Sequence, residues 1–205
     1  MYRFGKFLSI IFCRFLFRLK IHGRQNIPKE GGFILACNHL SYLDPIVLGV
    51  ACPRDIDYMA RHDLFENKIF GRMISSVNAF PVKRDSADLS AIKEVIKRVG
   101  SGKVVGLFPQ GGRKEIDSQD KPEAGIGFLA AKTNAPVIPA FISGTQRALP
   151  KGAKFIRPGE IIVSFGNEIP IERGMPYSEI AEKIMAGIRQ LANECQVLKI
   201  KQNLN

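Results

Sequence analysis

The sequence predicts an α/β fold in which a largely parallel mixed sheet carries helices on both faces, preceded by an amphipathic N-terminal helix. Short apolar runs alternate with segments of helical periodicity over most of the chain. Such alternation is typical of βαβ units, whose crossover helices cover a parallel sheet. A length of 205 residues and an apolar share of 45% suit one domain with a terminal appendage. We place the appendage at residues 1–20 and the domain at residues 21–205.

The N-terminal segment predicts a basic amphipathic helix that lies in a membrane interface. It carries five cations and no acid, and its longest uncharged run, residues 7–13, is too short to span a bilayer. Arg14 and Arg18 argue against a cleaved signal peptide. An aromatic face flanked by cations suits anionic lipid, whereas a helix packed on the domain core is the alternative. On a helical wheel the cations lie opposite an apolar stripe formed by Phe4, Leu8, Ile11, Phe12, Phe15 and Leu19.

Seven strands and five further helices are expected after this segment. The strands are short apolar runs, which we place at residues 21–23, 33–37, 56–59, 79–82, 104–108, 136–141 and 161–165. The helices have apolar residues every three or four positions, and we place them at residues 45–51, 63–75, 87–99, 124–132 and 178–198. Gly100 is the stop signal of the third of these helices. Ligands of such sheets bind beyond the carboxyl ends of the strands, so the loops there are candidate sites.

The first such loop follows the apolar run 33–37 and contains His39 and Asp44. An imidazole titrates near neutrality and is the usual side chain for taking a proton from a hydroxyl. A neighbouring carboxylate can fix its tautomer and stabilise the cation that forms. Pro45 suits the first position of a helix, so we expect Asp44 to be a helix N-cap that lies beside His39. Taken alone, the two residues are as compatible with a plain helix cap beside an ordinary loop histidine as with a catalytic pair.

Two further loops place cations after strand ends. Arg84, next to Lys83, could bind a phosphate with two parallel hydrogen bonds. Gly111 and Gly112 allow the backbone to approach a ligand closely, and Arg113 adds positive charge. Neither a Walker loop nor a dinucleotide fingerprint is present. Each of these two loops, taken alone, could also be an ordinary solvated turn.

The composition favours anionic partners. Thirty lysines and arginines against 19 acids give a net charge of +11, which suits nucleic acid, anionic headgroups or phosphorylated substrates. The sequence contains no helix-turn-helix, zinc or RNP-like aromatic pattern, so we do not expect nucleic acid as a partner. The four cysteines lie far apart, without metal-ligand spacing. We therefore expect reduced thiols in a cytosolic compartment and no metal centre.

Four sequence blocks, in this order, resemble those of the glycerolipid acyltransferase superfamily, and specifically its lysophosphatidate acyltransferases (1-acyl-sn-glycerol-3-phosphate acyltransferases). The blocks are residues 38–44, with a histidine and an aspartate separated by four residues, 80–84, 108–113 and 135–140. Arg61 stands where the family usually has a lysine. Gln110 and Gly112 stand where glutamate and threonine are usual. The resemblance extends over roughly residues 20–170.

The resemblance implies a glycerol-3-phosphate-acyltransferase-like fold and transfer of a fatty acyl group to the sn-2 hydroxyl of lysophosphatidate, which gives phosphatidate. The donor would be acyl carrier protein or coenzyme A, and no other cofactor is implied. His39 would be the general base and Asp44 would orient it. Backbone N–H groups near Gly111 are candidates for stabilising the tetrahedral oxyanion. The implied substrate-binding residues are Arg61, Arg84, Gln110, Gly111 and Arg113.

Membrane-lipid substrates imply an enzyme at the cytoplasmic face of the cell membrane, peripheral or monotopic and bound to anionic lipids. The acid-free stretch 145–157 is expected to meet the thioester donor or the headgroups, with a solvated loop as the alternative. Two other functions are open at this point. One is acyl transfer to another lysolipid or to glycerol 3-phosphate. The other is a non-catalytic lipid-binding protein of the same fold, which the replacements at Gln110 and Gly112 would permit.

Overall fold

A computed structural model of the protein describes residues 2–75, 78–82, 89–113 and 124–203. Within these ranges the strands are β1 Phe17–His22, β2 Phe33–Cys37, β3 Ile56–Arg61, β4 Ala79–Val82, β5 Val104–Leu107, β6 Val137–Ser143 and β7 Gly159–Phe165. The α-helices are α1 Tyr2–Leu16, α2 Asp44–Ala51, α3 Lys68–Ser75, α4 Leu89–Gly100, α5 Ala124–Thr133, α6 Thr145–Ala148 and α7 Tyr177–Asn203. Short 3₁₀ turns lie at Arg24–Asn26 and His62–Phe65.

The described strands form one mixed sheet in the order β1-β7-β6-β2-β5-β3-β4. Five neighbouring strands, β6, β2, β5, β3 and β4, are parallel to one another. The strand β7 is antiparallel to β6, and β1 is parallel to β7. The predicted largely parallel mixed sheet is therefore confirmed. The carboxyl ends of β2 to β6 and the amino ends of β1 and β7 lie along one edge, which we call the upper edge. The opposite edge is the lower edge.

The central strand β2 is buried on both faces, because helices cover the sheet on each side. Ile34 and Ala36 pack with residues of α4, α5 and α7. Phe33, Leu35 and Cys37 point to the other face and pack with α1 and α2. A strand that is covered on both faces reads as a continuous apolar run rather than an alternating one. This is why the sequence gives a clear signal for β2.

The N-terminal helix is four residues shorter than predicted. It ends at Leu16, and the next residues form the edge strand β1, in which Phe17 pairs with Gly159 of β7. Lys20, expected on the helix, forms an ion pair with Glu160 at 2.7 Å instead. The prediction of a helix for residues 17–20 was wrong because these residues pair with β7, which lies far along the chain. The predicted strand 21–23 is the end of this longer strand.

One side of α1 packs firmly on the domain. Cys13 is 1% exposed, and the Lys6 ammonium donates to the carbonyls of Cys52 and Arg54, which follow α2, and to Asp55. A lysine placed there satisfies carbonyls near the C-terminus of a helix. Lys6, one of the cations expected opposite the apolar stripe, therefore faces the domain. None of the described helices is both long enough and apolar enough to cross a membrane.

The outer side of α1 is apolar and exposed. Phe7 is 58%, Leu8 50% and Phe15 85% exposed. Packing on the domain core therefore applies to one side of this helix, and the membrane-interface location stays a prediction for the other side. Because the packed side is fixed to α2, the exposed side has a defined orientation relative to the sheet.

Candidate active site

His39 and Asp44 lie together at the upper edge, in the segment 38–43 and at the start of α2. The His39 Nδ1 atom is 2.9 Å from Asp44 Oδ2. The Asp44 side chain is 1% exposed and that of His39 is 17% exposed. A carboxylate on Nδ1 holds the imidazole in the tautomer whose Nε2 can accept a proton. The pair thus has the geometry of a general base with its orienting carboxylate.

Asp44 does not cap α2, so that prediction is wrong. The helix has Leu43 at its N-cap position without a side-chain cap, and Asp44 is already helical. Its Oδ2 atom points back and accepts from the backbone N–H groups of Leu40 at 2.6 Å and Ser41 at 2.8 Å. The Val47 N–H, which a cap at Asp44 could have bound, donates to the Leu43 carbonyl at 2.9 Å instead. The carboxylate therefore organises the loop that carries His39 rather than the helix that follows.

The Asp44 carboxylate is buried. Its Oδ1 atom is buried without a hydrogen-bond partner. The neighbouring Cys37 thiol has a pKa raised well above its usual value, by burial and secondarily by the Asp44 charge. A carboxylate in such a place interacts strongly with a cation that forms on His39, because the local dielectric constant is low.

Asn38 ties the segment 38–43 to the sheet. Its Nδ2 donates to the Ile142 carbonyl at 2.9 Å, and its Oδ1 accepts from the Ile142 N–H at 2.7 Å. The amide thus replaces a peptide group and continues the pairing of β2 with β6 by one residue. Ser41 adds a second tie, because its hydroxyl donates to the Leu149 carbonyl at 2.9 Å. We did not predict either role; a polar residue directly after a buried strand was the available signal.

Replacing Asn38 by alanine is expected to lower the free energy of unfolding by about 2–4 kcal/mol, because both buried polar groups of Ile142 lose their partner. Urea denaturation of the two proteins measures the difference. Asn26→Ala is the matched control: its amide makes one partly buried bond, to the Phe165 carbonyl at the lower edge. Its cost is expected to stay near 1 kcal/mol. Equal losses in the two variants would contradict the bridging role of Asn38.

The turn that follows β5 holds His39 from the other side. The Gly111 N–H donates to the Phe108 carbonyl at 3.1 Å, and Gly111 has a positive φ of 63°. Gln110 is 7% exposed, and its Oε1 accepts from the His39 N–H at 3.0 Å. The Phe108 ring stacks on the imidazole at a centroid distance of 4.3 Å. Gln110 therefore positions the His39 backbone and Phe108 its ring.

The Gly111 N–H donates to the Phe108 carbonyl within this turn, and the oxyanion donors near Gly111 stay a prediction. Gly112 lies next to it, and a Cβ atom added there would meet no atom within 4 Å. Arg113 then places its guanidinium 3.8 Å from the centre of the Tyr42 ring, which is 56% exposed. This cation–π contact brings Arg113 to the segment that carries His39.

The remaining two predicted substrate-binding residues are less fully placed. Arg61 is the last residue of β3 and pairs with Val82, which puts its backbone at the upper edge. Arg84 lies outside the described residues. The described residues that the structure brings together are thus His39, Asp44, Gln110, Gly111 and Arg113. Among the described residues, no group of three or more histidine, cysteine or acidic side chains could hold a metal ion.

Known proteins resemble this chain in sequence. The family model described as Acyltransferase matches residues 18–143. The chain is 35% identical over 153 residues to a 1-acyl-sn-glycerol-3-phosphate acyltransferase of Bacillus subtilis. The matched region covers 74% of this chain and 73% of that protein. The enzyme of the same name from Streptococcus pneumoniae is 30% identical over 180 residues, 85% of this chain and 62% of that protein.

A solved structure shares the fold. The crystal structure of a 1-acyl-sn-glycerophosphate (LPA) acyltransferase from Thermotoga maritima matches 93% of this chain and 79% of that chain with a TM-score of 0.72, at 21% identity. The predicted fold class is confirmed by this match. The family model and the Bacillus subtilis relative show the family of this chain. The chain belongs to the acyltransferase family, in the group of the 1-acyl-sn-glycerol-3-phosphate acyltransferases.

Proposed function

We propose that this enzyme transfers a fatty acyl group from a thioester donor to the sn-2 hydroxyl of lysophosphatidate and so forms phosphatidate for phospholipid synthesis. The contact of His39 Nδ1 with Asp44 Oδ2 at 2.9 Å, in a partly open position at the upper edge, carries the proposal. The names of the two relatives described above specify this acceptor. No cofactor other than the co-substrate takes part.

The chemistry needs one base and no enzyme nucleophile. His39 Nε2 accepts the proton of the acceptor hydroxyl while its oxygen attacks the thioester carbonyl carbon. Asp44 stabilises the imidazolium that results. The tetrahedral intermediate then collapses with cleavage of the C–S bond, and the imidazolium returns the proton to the departing thiolate. The products are the ester and the free thiol of the donor.

The acceptor phosphate binds to arginines at the upper edge. Arg113 stacks on Tyr42, three residues from His39, so a phosphate held by Arg113 keeps the acceptor close to the base. Arg61 and Arg84 contribute further positive charge in this proposal. Such positioning lowers the activation free energy by several kcal/mol in enzymes of many classes. Gln110 already accepts from the His39 backbone, so its loss of charge relative to the usual glutamate leaves the chemistry of the base in place.

We also propose that the enzyme acts as a peripheral or monotopic protein at the cytoplasmic face of the membrane. The exposed apolar side of α1 supports this location, because Phe7, Leu8 and Phe15 are each at least half exposed. The donor, acyl carrier protein or coenzyme A, is an anionic molecule of the cytosol. The acceptor is present in the leaflet to which α1 binds.

An assay of thiol release with the purified protein tests the function. Acyl-acyl carrier protein and acyl-coenzyme A are each offered with lysophosphatidate, another lysolipid or glycerol 3-phosphate. We expect the highest kcat/KM with lysophosphatidate and phosphatidate as the product by mass spectrometry. A higher kcat/KM with another acceptor would assign that substrate instead, and absence of thiol release with every pair would support a non-catalytic lipid-binding protein.

A further inference from the structure

The loop 149–158, between α6 and β7, has the composition of a membrane-inserting turn. Phe155 is 82% exposed and Ile156 is 36% exposed. Lys151, Lys154 and Arg157 flank them, and no acid occurs from residue 145 to residue 159. Transfer of an exposed aromatic side chain from water to an apolar phase is favourable because a large apolar area is buried. The surrounding cations favour an anionic surface. The loop lies beyond the residues 18–143 that match the family model.

Sheet topology places this loop beside the end of α1. The strands β1 and β7 are parallel, and their first residues, Phe17 and Gly159, pair with each other. The end of α1 and the end of the loop 149–158 therefore arrive side by side at the upper edge. Phe15, in the last turn of α1, is 85% exposed. Two exposed aromatic residues, Phe15 and Phe155, thus come from segments whose ends lie side by side at the edge that carries His39.

The loop 149–158 has a defined shape. The Arg157 N–H donates to the Ala148 carbonyl at 2.8 Å and closes the loop at its base. The Ala153 N–H donates to the Pro150 carbonyl at 3.0 Å in a turn that contains Gly152 at a φ of 85°. At its start, the Leu149 carbonyl accepts from the Ser41 hydroxyl. The tip is therefore presented on a closed turn that is tied to the segment carrying His39.

We propose that the loop 149–158 and the exposed side of α1 form one docking surface for a bilayer of anionic phospholipids, with Phe155 inserted beside Phe15. The inference adds a second insertion point to the docking helix and rests on the proposed membrane location. A soluble anionic partner such as acyl carrier protein would match the cations but would leave two aromatic side chains without a role. A bilayer matches both features. The surface borders the upper edge, so an acceptor can pass from the leaflet to His39 over a short path.

Vesicle sedimentation with the full chain tests the surface. Phe155→Ser is expected to weaken binding to vesicles of phosphatidylglycerol and phosphatidylcholine by about tenfold, because the variant has no aromatic ring to transfer from water into the bilayer. Ile96→Ser is the matched control: Ile96 is 37% exposed and lies on α4, which covers the opposite face of the sheet. Its binding should equal that of the original protein. Equal binding of the Phe155→Ser protein and the original protein would overturn the proposal.

The cations are tested in the same way. Replacing Lys151 and Lys154 by glutamine is expected to weaken binding by about fivefold for each charge removed. The loss should disappear on vesicles of phosphatidylcholine alone and shrink at high salt. Lys29 and Lys97, which are exposed near the lower edge, are the control pair for the same double substitution. An equal loss in the control pair would show that net charge, and not this surface, governs binding.

Direct insertion can be read from a fluorescent label. All four native cysteines are buried, and burial raises the Cys13 pKa to about 11, so an added surface thiol can be labelled selectively. A polarity-sensitive dye on Phe155→Cys is expected to shift to the blue on anionic vesicles, whereas the same dye on Lys29→Cys should not shift. An unshifted spectrum at position 155 would overturn insertion.

Activity separates this inference from the proposed function. The ratio of turnover on vesicle-borne lysophosphatidate to turnover on a short-chain, water-soluble analogue is expected to fall about tenfold in Phe155→Ser, in step with vesicle binding. Absence of acyl transfer in the original protein, with vesicle binding intact, would refute only the proposed function. A rate loss confined to acyl-acyl carrier protein as donor, with unchanged vesicle binding, would assign the loop to the donor protein and overturn the inference.

Discussion

Replacing His39 by alanine is expected to lower kcat by about 10²- to 10⁴-fold, because the acceptor hydroxyl loses its base. The fold should persist. The backbone N–H of His39 is held by Gln110, and the adjoining Asn38 is held by Ile142, neither of which depends on the imidazole. Far-ultraviolet circular dichroism and thermal unfolding check the fold, and thiol release checks the rate.

His22→Ala is the matched control for this variant. His22 is an exposed residue at the end of β1, at the lower edge, so its loss should leave turnover unchanged. An His39→Ala protein that is folded and keeps more than about a tenth of the original kcat would rule out general-base catalysis by His39. Equal losses in both variants would indicate a general effect of histidine replacement on stability.

Replacing Asp44 by asparagine is expected to reduce both activity and stability. Oδ2 of Asp44 accepts three bonds, from His39 Nδ1 and from the backbone N–H groups of Leu40 and Ser41. If the amide oxygen takes this place, the amide nitrogen falls where Oδ1 is now buried without a partner. If the amide is reversed, its N–H groups face three donors. Both orientations leave a buried polar group unsatisfied, which costs about 1–3 kcal/mol.

The effect of Asp44→Asn on catalysis follows from the loss of the carboxylate. The imidazolium that forms during the reaction would lose its counter-charge, and the tautomer of His39 would no longer be imposed, so kcat is expected to fall by about 10³- to 10⁴-fold. Asp55→Asn is the control, because Asp55 is half exposed and makes a surface ion pair with Lys6. Its unfolding free energy should change by less than about 1 kcal/mol. Near-normal turnover of folded Asp44→Asn would mean that Asp44 serves the loop alone.

The predicted strand boundaries were accurate where a short apolar run is bounded by polar or turn residues. The strands β2 and β4 begin and end at the predicted residues, because short apolar runs bounded by polar or turn residues have few ways to be buried. The boundary between α1 and β1 was wrong. Residues 17–20 continue the helical stripe of the sequence, but their pairing with β7 gives them a strand conformation. Long-range pairing of this kind overrides local propensity.

The site shows the same division. The sequence by itself determined which side chains can do the chemistry, since a histidine, an aspartate and several cations follow strand ends that a parallel sheet brings to one edge. Only the tertiary structure decided that Asp44 faces back to His39, that Gln110 holds the His39 backbone, and that the ends of α1 and of the loop 149–158 lie side by side. The physical reason is that each of these depends on the direction of a hydrogen bond or on contacts between distant residues. The pattern of neighbouring residues does not specify either one.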